Sequence, residues 1–412
     1  MKNNFASRSV LVLTMVSIFL AAGSMFSAAQ TLKTIYSFDN RDQNGSFPPA
    51  GVTLDHSGTL FGTTGDGGPR SCGTAYALRP NGTNWTLTYI KDFGGLNSCF
   101  PGSPLVEDSA GNLYGSTNGW GLMNGALFEL SPVAGGGWRQ TDLATFPNGC
   151  DCGEYTMPAP IFDQSGNVYS VSRYNGLYGH GMVYEVTPNG DGTWNELELY
   201  DFAGGADGFG PNSLIFDRAG NLFGTTTSGG TSGGTAFELM PMAGGGWQKS
   251  TIYSFGTVDA DPEGLIVDKS GNLYGAAEVG GVLNHGTVFE LSPDGSGGWA
   301  HKILYSFRGT ASGDGAVPQS PLLFDRGQDL WGVTYSGGIS TGSCSPDGCG
   351  TVFRLSPNSG GTWSEVHYDF QTDSTGPAYP HPGLVFDQKG NLYGTTLGGG
   401  TYGAGTVFEL TP

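Results

Sequence analysis

Three observations predict an all-β fold, a seven-bladed β-propeller of four-stranded antiparallel blades. The first is a phrase, Asp-x-x-x-x-aliphatic-aromatic, starting at Asp55, Asp108, Asp163, Asp217, Asp268, Asp325 and Asp387. The second is another phrase, aromatic-x-Leu/Val-x-Pro, ending at Pro80, Pro132, Pro188, Pro241, Pro293, Pro357 and Pro412. Successive copies of the first lie 51 to 62 residues apart, and a period near 50 marks stacked supersecondary units such as propeller blades. The third is a mismatch at the ends. The chain stops just after a third strand, while Leu32–Phe38 reads like the fourth strands Ser250–Phe255 and Ile303–Phe307. The N-terminal strand therefore completes the last blade and closes the ring.

The fifth repeat shows why each element forms. Leu265-Ile266-Val267 is a short apolar run, suited to an innermost strand covered on both faces. Lys269-Ser270-Gly271-Asn272 is a turn in which Gly271 and Asn272 are residue types that accept positive φ. The carboxylate of Asp268 can take backbone N–H groups two or three residues on and close that turn. A second strand starts at Leu273, and Gly286–Pro293 alternates as a third strand. Trp299–Phe307 is the fourth, with Ile303, Tyr305 and Phe307 two apart. Tyr274, Phe289 and Trp299 are expected to fill the wedges between blades. The repeats fall near 49–93, 102–146, 157–202, 211–255, 262–307, 319–370 and 381–412, the last completed by 32–38. Helical periodicity is missing after the first thirty residues, and the 73 glycines are explained by hairpins.

Residues 1–29 read as a secretory signal peptide. Lys2 and Arg8 precede an apolar stretch from Val10 to Ala22, and Ser27-Ala28-Ala29 specifies cleavage before Gln30. The stretch is shorter than the ~18 residues a membrane span needs. Residues 30–412 are then one exported domain, secreted or held in the periplasm or cell envelope. Loss of Lys2 and Arg8 takes the net charge from −19 to about −21. Such a chain does not bind nucleic acid through phosphate contacts. Six cysteines in an exported chain suggest disulfides. Cys344 and Cys349 flank a turn sequence and are the first expected pair, Cys72 with Cys99 the second. Cys150 and Cys152 would make a strained ring if joined.

In a four-stranded blade the 1–2 and 3–4 turns share one face, and the 2–3 and 4–1 loops share the other. Variation in length and chemistry falls in the 2–3 and 4–1 loops, which carry all six cysteines, His180, His285, Asp42, Asp207, Asp261, Asp314 and Asp373. Binding residues concentrate on variable loops of a rigid scaffold, so the function is expected on that face or in the mouth of the channel. Asn212 and Glu263 occupy matching positions at the start of innermost strands. With Asp207 and Asp261 they offer oxygen ligands for a divalent cation, Ca²⁺ or Mn²⁺. Solvated loop carboxylates are the plainer alternative. His180 and His285 are further candidate ligand-binding residues. They belong to the third and fifth blades, so one metal ion is not expected to join them. Glu107 stands where other repeats carry Leu, Phe or Val, as a channel carboxylate or an exposed irregularity. The seven repeated Asp residues are read as hairpin closures, not a ligand ring. Trp120, Tyr178, Trp331, Tyr335 and Tyr402 lie in or near the 2–3 loops, where they would stack on sugars or pack the wedges. No nucleophile elbow, zinc-protease helix, phosphate loop or EF-hand loop occurs in the sequence.

Gly286–Pro293, Asp387–Gly394 and Gly405–Pro412 resemble the bacterial tandem repeat called GloVer, found in choice-of-anchor tandem repeat proteins. The resemblance covers Leu32 to Pro412. It implies an exported, propeller-like protein of unassigned activity, often with a C-terminal surface anchor, and implies no catalytic residues. The expected function is that of a secreted, monomeric binding or interaction module. Its ligand would be a glycan, another exported protein or a cell-envelope component, and no cofactor is expected beyond the divalent cation. The alternative is a metal-dependent hydrolase or lyase with Asn212, Glu263 and neighbouring Asp residues at the channel mouth.

Overall fold

The computed structural model describes residues 31–39, 45–95, 98–118, 124–146, 158–370 and 375–411. The expected signal peptide, Asp42, Trp120, Cys150, Cys152 and Asp373 lie outside the described residues. The strands form seven antiparallel sheets, each one blade of a propeller. In the fifth blade the order from the axis outward is Asp259–Val267, Leu273–Gly280, Thr287–Pro293 and Trp299–Ser306. The innermost strand of the fourth blade breaks into Phe209–Pro211 and Ile215–Phe216, both paired to Leu222–Ser228. Short 3-10 turns at Gly205–Asp207, Thr310–Ser312 and Gly342–Cys344 are the helical elements of the described residues. No helix there is long and apolar enough to cross a membrane.

Ring closure follows the sequence pattern. Thr31–Ser37 pairs antiparallel with Thr406–Thr411 and supplies the outer strand of the seventh blade. The core is a set of wedges between blades. At every seam, an aromatic ending one blade's fourth strand packs on an aromatic in the next blade's third strand. The pairs are Phe38–Tyr76, Phe93–Phe128, Phe146–Tyr184, Phe202–Phe237, Phe255–Phe289, Phe307–Phe353 and Phe370–Phe408, with centroids 4.8 to 5.1 Å apart. A second contact recurs beside it: a proline opening one blade lies on the glycine before the third strand of the preceding blade. At Gly286 a Cβ would collide with Pro318, and φ is 93°, so only glycine fits.

All seven repeated Asp residues close their turns. Each Oδ1 accepts the backbone N–H groups of the residues two and four positions on. At Asp268 these come from Ser270 at 2.7 Å and Asn272 at 2.9 Å. Gly271 takes φ 87°, as expected, but Asn272 is not left-handed. Its side-chain amide instead donates to Asp268 Oδ2 at 3.0 Å. Asp268→Ala should therefore cost about 1–2 kcal/mol by urea unfolding, since several donors lose one acceptor. Asp268→Asn should recover part of the loss, because one acceptor oxygen remains.

The disulfides Cys72–Cys99 and Cys344–Cys349 form with Cα separations of 4.6 and 5.1 Å. The first ties the 2–3 loop of the first blade to the connection entering the second. The second staples the 2–3 loop of the sixth blade. Both stiffen the face where the loops vary.

Candidate functional site

The site is built from one register position repeated around the axis. Pro211, Pro262, Pro318 and Pro380 each pack on a glycine of the preceding blade. The residues that follow them are Asn212, Glu263, Gln319 and His381, in four successive blades. Glu263, Gln319 and His381 stand opposite Ala276, Val333 and Thr395, equivalent rungs of their second strands. Asn212 reaches the same rung through its N–H, which donates to the Thr225 carbonyl at 3.0 Å. A bulge follows Glu263, Gln319 and His381, and the strand break follows Asn212. Bulges turn a strand and re-aim its side chains. The residues before these prolines, Gly210, Asp261, Val317 and Tyr379, are left-handed, with φ between 57° and 68°. Phe47 and Phe100 repeat that geometry before Pro48 and Pro101. The conformation therefore belongs to the blade architecture and is not strain reserved for a site. Two residues beyond the shared rung, the second strands contribute Glu278 and Tyr335, and Arg173 directly follows the strand Val168–Ser172.

Asn212 Nδ2 donates to Glu263 Oε1 at 3.2 Å and to the Pro262 carbonyl at 2.9 Å, while Asn212 Oδ1 accepts from Thr225 Oγ1 at 2.6 Å. Gln319 Nε2 lies 3.5 Å from Glu278 Oε1. Burial, then the neighbouring Glu278, pushes Glu263 up to about 8, with Arg173 and the Asn212 bond opposing. Burial and Asp261 raise Glu278 to about 7. Burial also raises Asp261, against the pull of Arg173. Glu263 keeps a strip of accessible surface although it lies deep in the molecule, which suits a side chain at the end of an axial channel. Desolvation thus acts on three carboxyls facing one guanidinium, and like charge adds to it at Glu263 and Glu278. Beside them, Tyr335 and Tyr379 stack with centroids 5.3 Å apart, and Tyr335 meets the His381 ring edge-on at 6.1 Å. Burial lowers His381 to about 4, so its ring is neutral at physiological pH.

The other expected residues are placed elsewhere. Asp207 is not in this cluster. Its carboxylate holds Lys249 at 2.7 Å, the Tyr200 hydroxyl at 2.8 Å and the Ala203 N–H at 2.8 Å, binding two blades together. Burial acts upward on Asp207, but these donors outweigh it and hold it below its ordinary value. His180 packs edge-on against Phe209 at 5.2 Å. His285 lies against Gly309 at the seam between the fifth and sixth blades, and no contact joins it to His180 among the described residues. Glu107 pairs across to Leu113 beside the 1–2 turn, on the opposite face, where burial and Asp55 raise it. Trp331 is no loop stacking surface: it is 2 % exposed, packs on Phe386, and donates Nε1–H to Asp325 at 3.1 Å. Tyr178 and Tyr402 are exposed on the loop face.

Metal geometry is also found elsewhere. Among the described residues, Asp314, Glu365 and His367 are the trio of candidate ligands whose atoms lie within 4.8 Å of one another. Asp314 is already saturated there by Tyr305, Arg308 and the Gly315 N–H, which marks an ion-pair network in a blade seam. Asp261, Glu263 and Glu278 do not converge to that degree. The cluster members missed in the sequence were Arg173, Glu278, Gln319, His381 and Tyr379. The signal was available: counting from each repeated aliphatic-aromatic phrase, or from each blade-opening proline, superposes them.

A family model, the Gloeobacter/Verrucomicrobia repeat, matches residues 123–345, over half of the chain. The chain belongs to this repeat family. No curated protein matches it. Among solved structures, a protein provisionally described as a 6-phosphogluconolactonase of Bacteroides uniformis is similar at 16 % identity and TM-score 0.51, over 82 % of this chain and 88 % of that one. A gluconolactonase of Xanthomonas campestris matches at 17 % identity and TM-score 0.42, over 76 % and 88 %. An aldose sugar dehydrogenase of Streptomyces coelicolor, bound to PQQ, matches at 12 % identity and TM-score 0.45, over 82 % and 99 %. At these identities the likeness is one of fold.

Proposed function

We propose that this member of the repeat family is an exported binding module that takes a glycan at the axial end of its 2–3/4–1 face. One observation carries the reading. Four successive blades present Asn212, Glu263, Gln319 and His381 at a single register position, next to the half-buried Tyr335–Tyr379 stack. A converging set of hydrogen-bonding side chains beside an aromatic surface suits a polyhydroxylated ring. The disulfides agree with an oxidising compartment.

A second reading has its own support. Glu263 and Glu278, raised to about 8 and 7, are the kind of carboxyl pair that trades protons in hydrolysis or elimination. A Ca²⁺- or Mn²⁺-dependent form would draw on the oxygens of Asn212, Asp261 and Glu263.

A glycan array followed by calorimetry, on a chain begun at Gln30, tests both. Saturable binding should weaken at least tenfold in Glu263→Ala and Tyr379→Ala and survive in Glu107→Ala. Binding unchanged by the first two variants would remove the site from the axis. Turnover of a bound glycan that Glu263→Gln abolishes would put the enzyme reading first.

A further inference from the structure

We propose that the axial site selects an amine-bearing sugar, whose ammonium group answers the carboxyls of Asp261, Glu263 and Glu278 while its hydroxyls meet the acceptors around them. This rests on the glycan reading above and adds the charge of the ligand.

The first argument is charge balance. Three carboxyls lie within electrostatic reach of one another and of a single guanidinium, Arg173, which is 6 % exposed. Arg173 can neutralise one of them. The chain as a whole is acidic, at −19, and its long-range field also draws cations.

The second argument is the hydrogen-bond inventory, and it is independent of charge. Asp261 Oδ1 and Gln319 Oε1 are buried acceptors without a hydrogen-bond partner. His381, 7 % exposed at the same register position, has two buried ring nitrogens with no partner at hydrogen-bond geometry. The Pro49 carbonyl favours a proton on that ring, but burial outweighs it and keeps the imidazole neutral, with one nitrogen an acceptor. Buried acceptors of this kind are costly unless something donates to them. A ligand rich in O–H and N–H donors fits; an anion or a ketone does not.

The third argument separates an organic cation from a metal ion. Oxygens on one Ca²⁺ lie about 2.3–2.6 Å from it, and therefore within about 5 Å of each other. Asp261, Glu263 and Glu278 do not make a trio of ligand atoms within 4.8 Å. A sugar ring several ångströms across reaches them separately, and the Tyr335–Tyr379 stack offers an aromatic surface that attracts both an ammonium group and the ring's C–H face.

The test uses three probes on the chain begun at Gln30: a glucosamine tetramer with free amines, its fully N-acetylated counterpart, and tetralysine. Calorimetry at about pH 6, where the sugar amines and the carboxyls of Glu263 and Glu278 all carry their protons, in two buffers of different ionisation enthalpy, reads affinity and proton release together. The free-amine tetramer should bind at least tenfold more tightly than the acetylated one and release protons on binding. The double variant Glu263→Gln/Glu278→Gln, checked for an unchanged fold by circular dichroism, should lose both the preference and the release. Equal binding of the two tetramers would overturn the charge inference and leave the glycan reading standing. Binding of neither, with a different glycan captured on the array, would do the same. Tetralysine binding as tightly as the amine tetramer would overturn the sugar assignment in favour of a cationic peptide. Loss of all glycan binding would remove the reading on which the inference rests.

Discussion

A chain begun at Asp39 should unfold without the cooperative transition of a chain begun at Gln30, or fail to stay soluble. Thr31–Ser37 has no partner within its own stretch of sequence; it hydrogen-bonds to Thr406–Thr411, at the other end of the chain. Its side chains also bridge two cores. Leu32 packs against the wedge between the sixth and seventh blades, and Ile35 and Tyr36 against the wedge between the seventh and first. Phe38, fully buried, supplies the closing member of the seven aromatic seam pairs by meeting Tyr76 at 5.1 Å. Without the strand, Thr406–Thr411 becomes an open sheet edge, a template for aggregation. Phe38→Ala isolates the packing part of the effect. A buried Phe truncated to Ala costs about 3–5 kcal/mol. With an unfolding entropy of about 2.1 cal/mol/K per residue over a domain of this size, that becomes a fall of about 4–6 °C in Tm. The same truncation at solvent-exposed Val366 should move Tm by less than about 1 °C. An unchanged Tm after removal of the strand would mean that the ring does not depend on it.

Closure was legible in the sequence because it is a counting argument. Seven third strands end in the same phrase, and Leu32–Phe38 repeats the wording of fourth strands. The Asp-x-x-x-x turns were legible for a related reason: a carboxylate at a tight hairpin has one dominant use, and all seven serve it. The site was legible only in part. Asn212 and Glu263 stood out because they fall at matching positions at the start of innermost strands, with Asp261 in the loop just before Glu263. Gln319 and His381 share the position but follow slightly different spacings to the next Asp, so the equivalence emerges only when the prolines are aligned. Glu278 comes from a second strand and Arg173 from the end of one, and nothing local in the sequence says that the third blade reaches toward a first strand of the fifth. Asp207 was ambiguous because an acidic loop residue looks the same on paper whether it faces a ligand or a lysine. The partner that decided it, Lys249, is 42 residues away. Trp331 takes the second of its two expected uses, wedge packing, and its hydrogen bond to Asp325 fixes it in the core.

The pH dependence of stability should have two limbs set by opposite shifts in one cluster. Folded Glu263 holds its proton up to about 8 and Glu278 up to about 7, well above the ordinary value of 4.5 in the unfolded chain. The folded state therefore binds protons that the unfolded state releases. The contribution of these groups is complete below pH 4.5 and is lost as pH rises through 7 and 8, at up to about 1.4 kcal/mol per pH unit for each proton involved. His381 works in the other direction. Burial lowers it from 6.5 to about 4, so its contribution is complete above pH 6.5 and is lost as pH falls toward 4. The two effects overlap between pH 4.5 and 6.5, where they oppose each other. Urea unfolding from pH 4 to 9 separates them through variants. Glu263→Gln should match the unsubstituted protein near pH 4, where both side chains are neutral, and exceed its stability at pH 9, where a buried carboxylate is no longer forced. Glu263→Gln/Glu278→Gln should flatten the alkaline limb further, since the two carboxyls repel each other. His381→Gln should flatten the acid limb and leave the alkaline one unchanged. A Glu263→Gln profile running parallel to that of the unsubstituted protein across the whole range would show that Glu263 is solvated in the folded state. The axial cluster would then lose the buried acid on which both the binding and the acid–base readings depend.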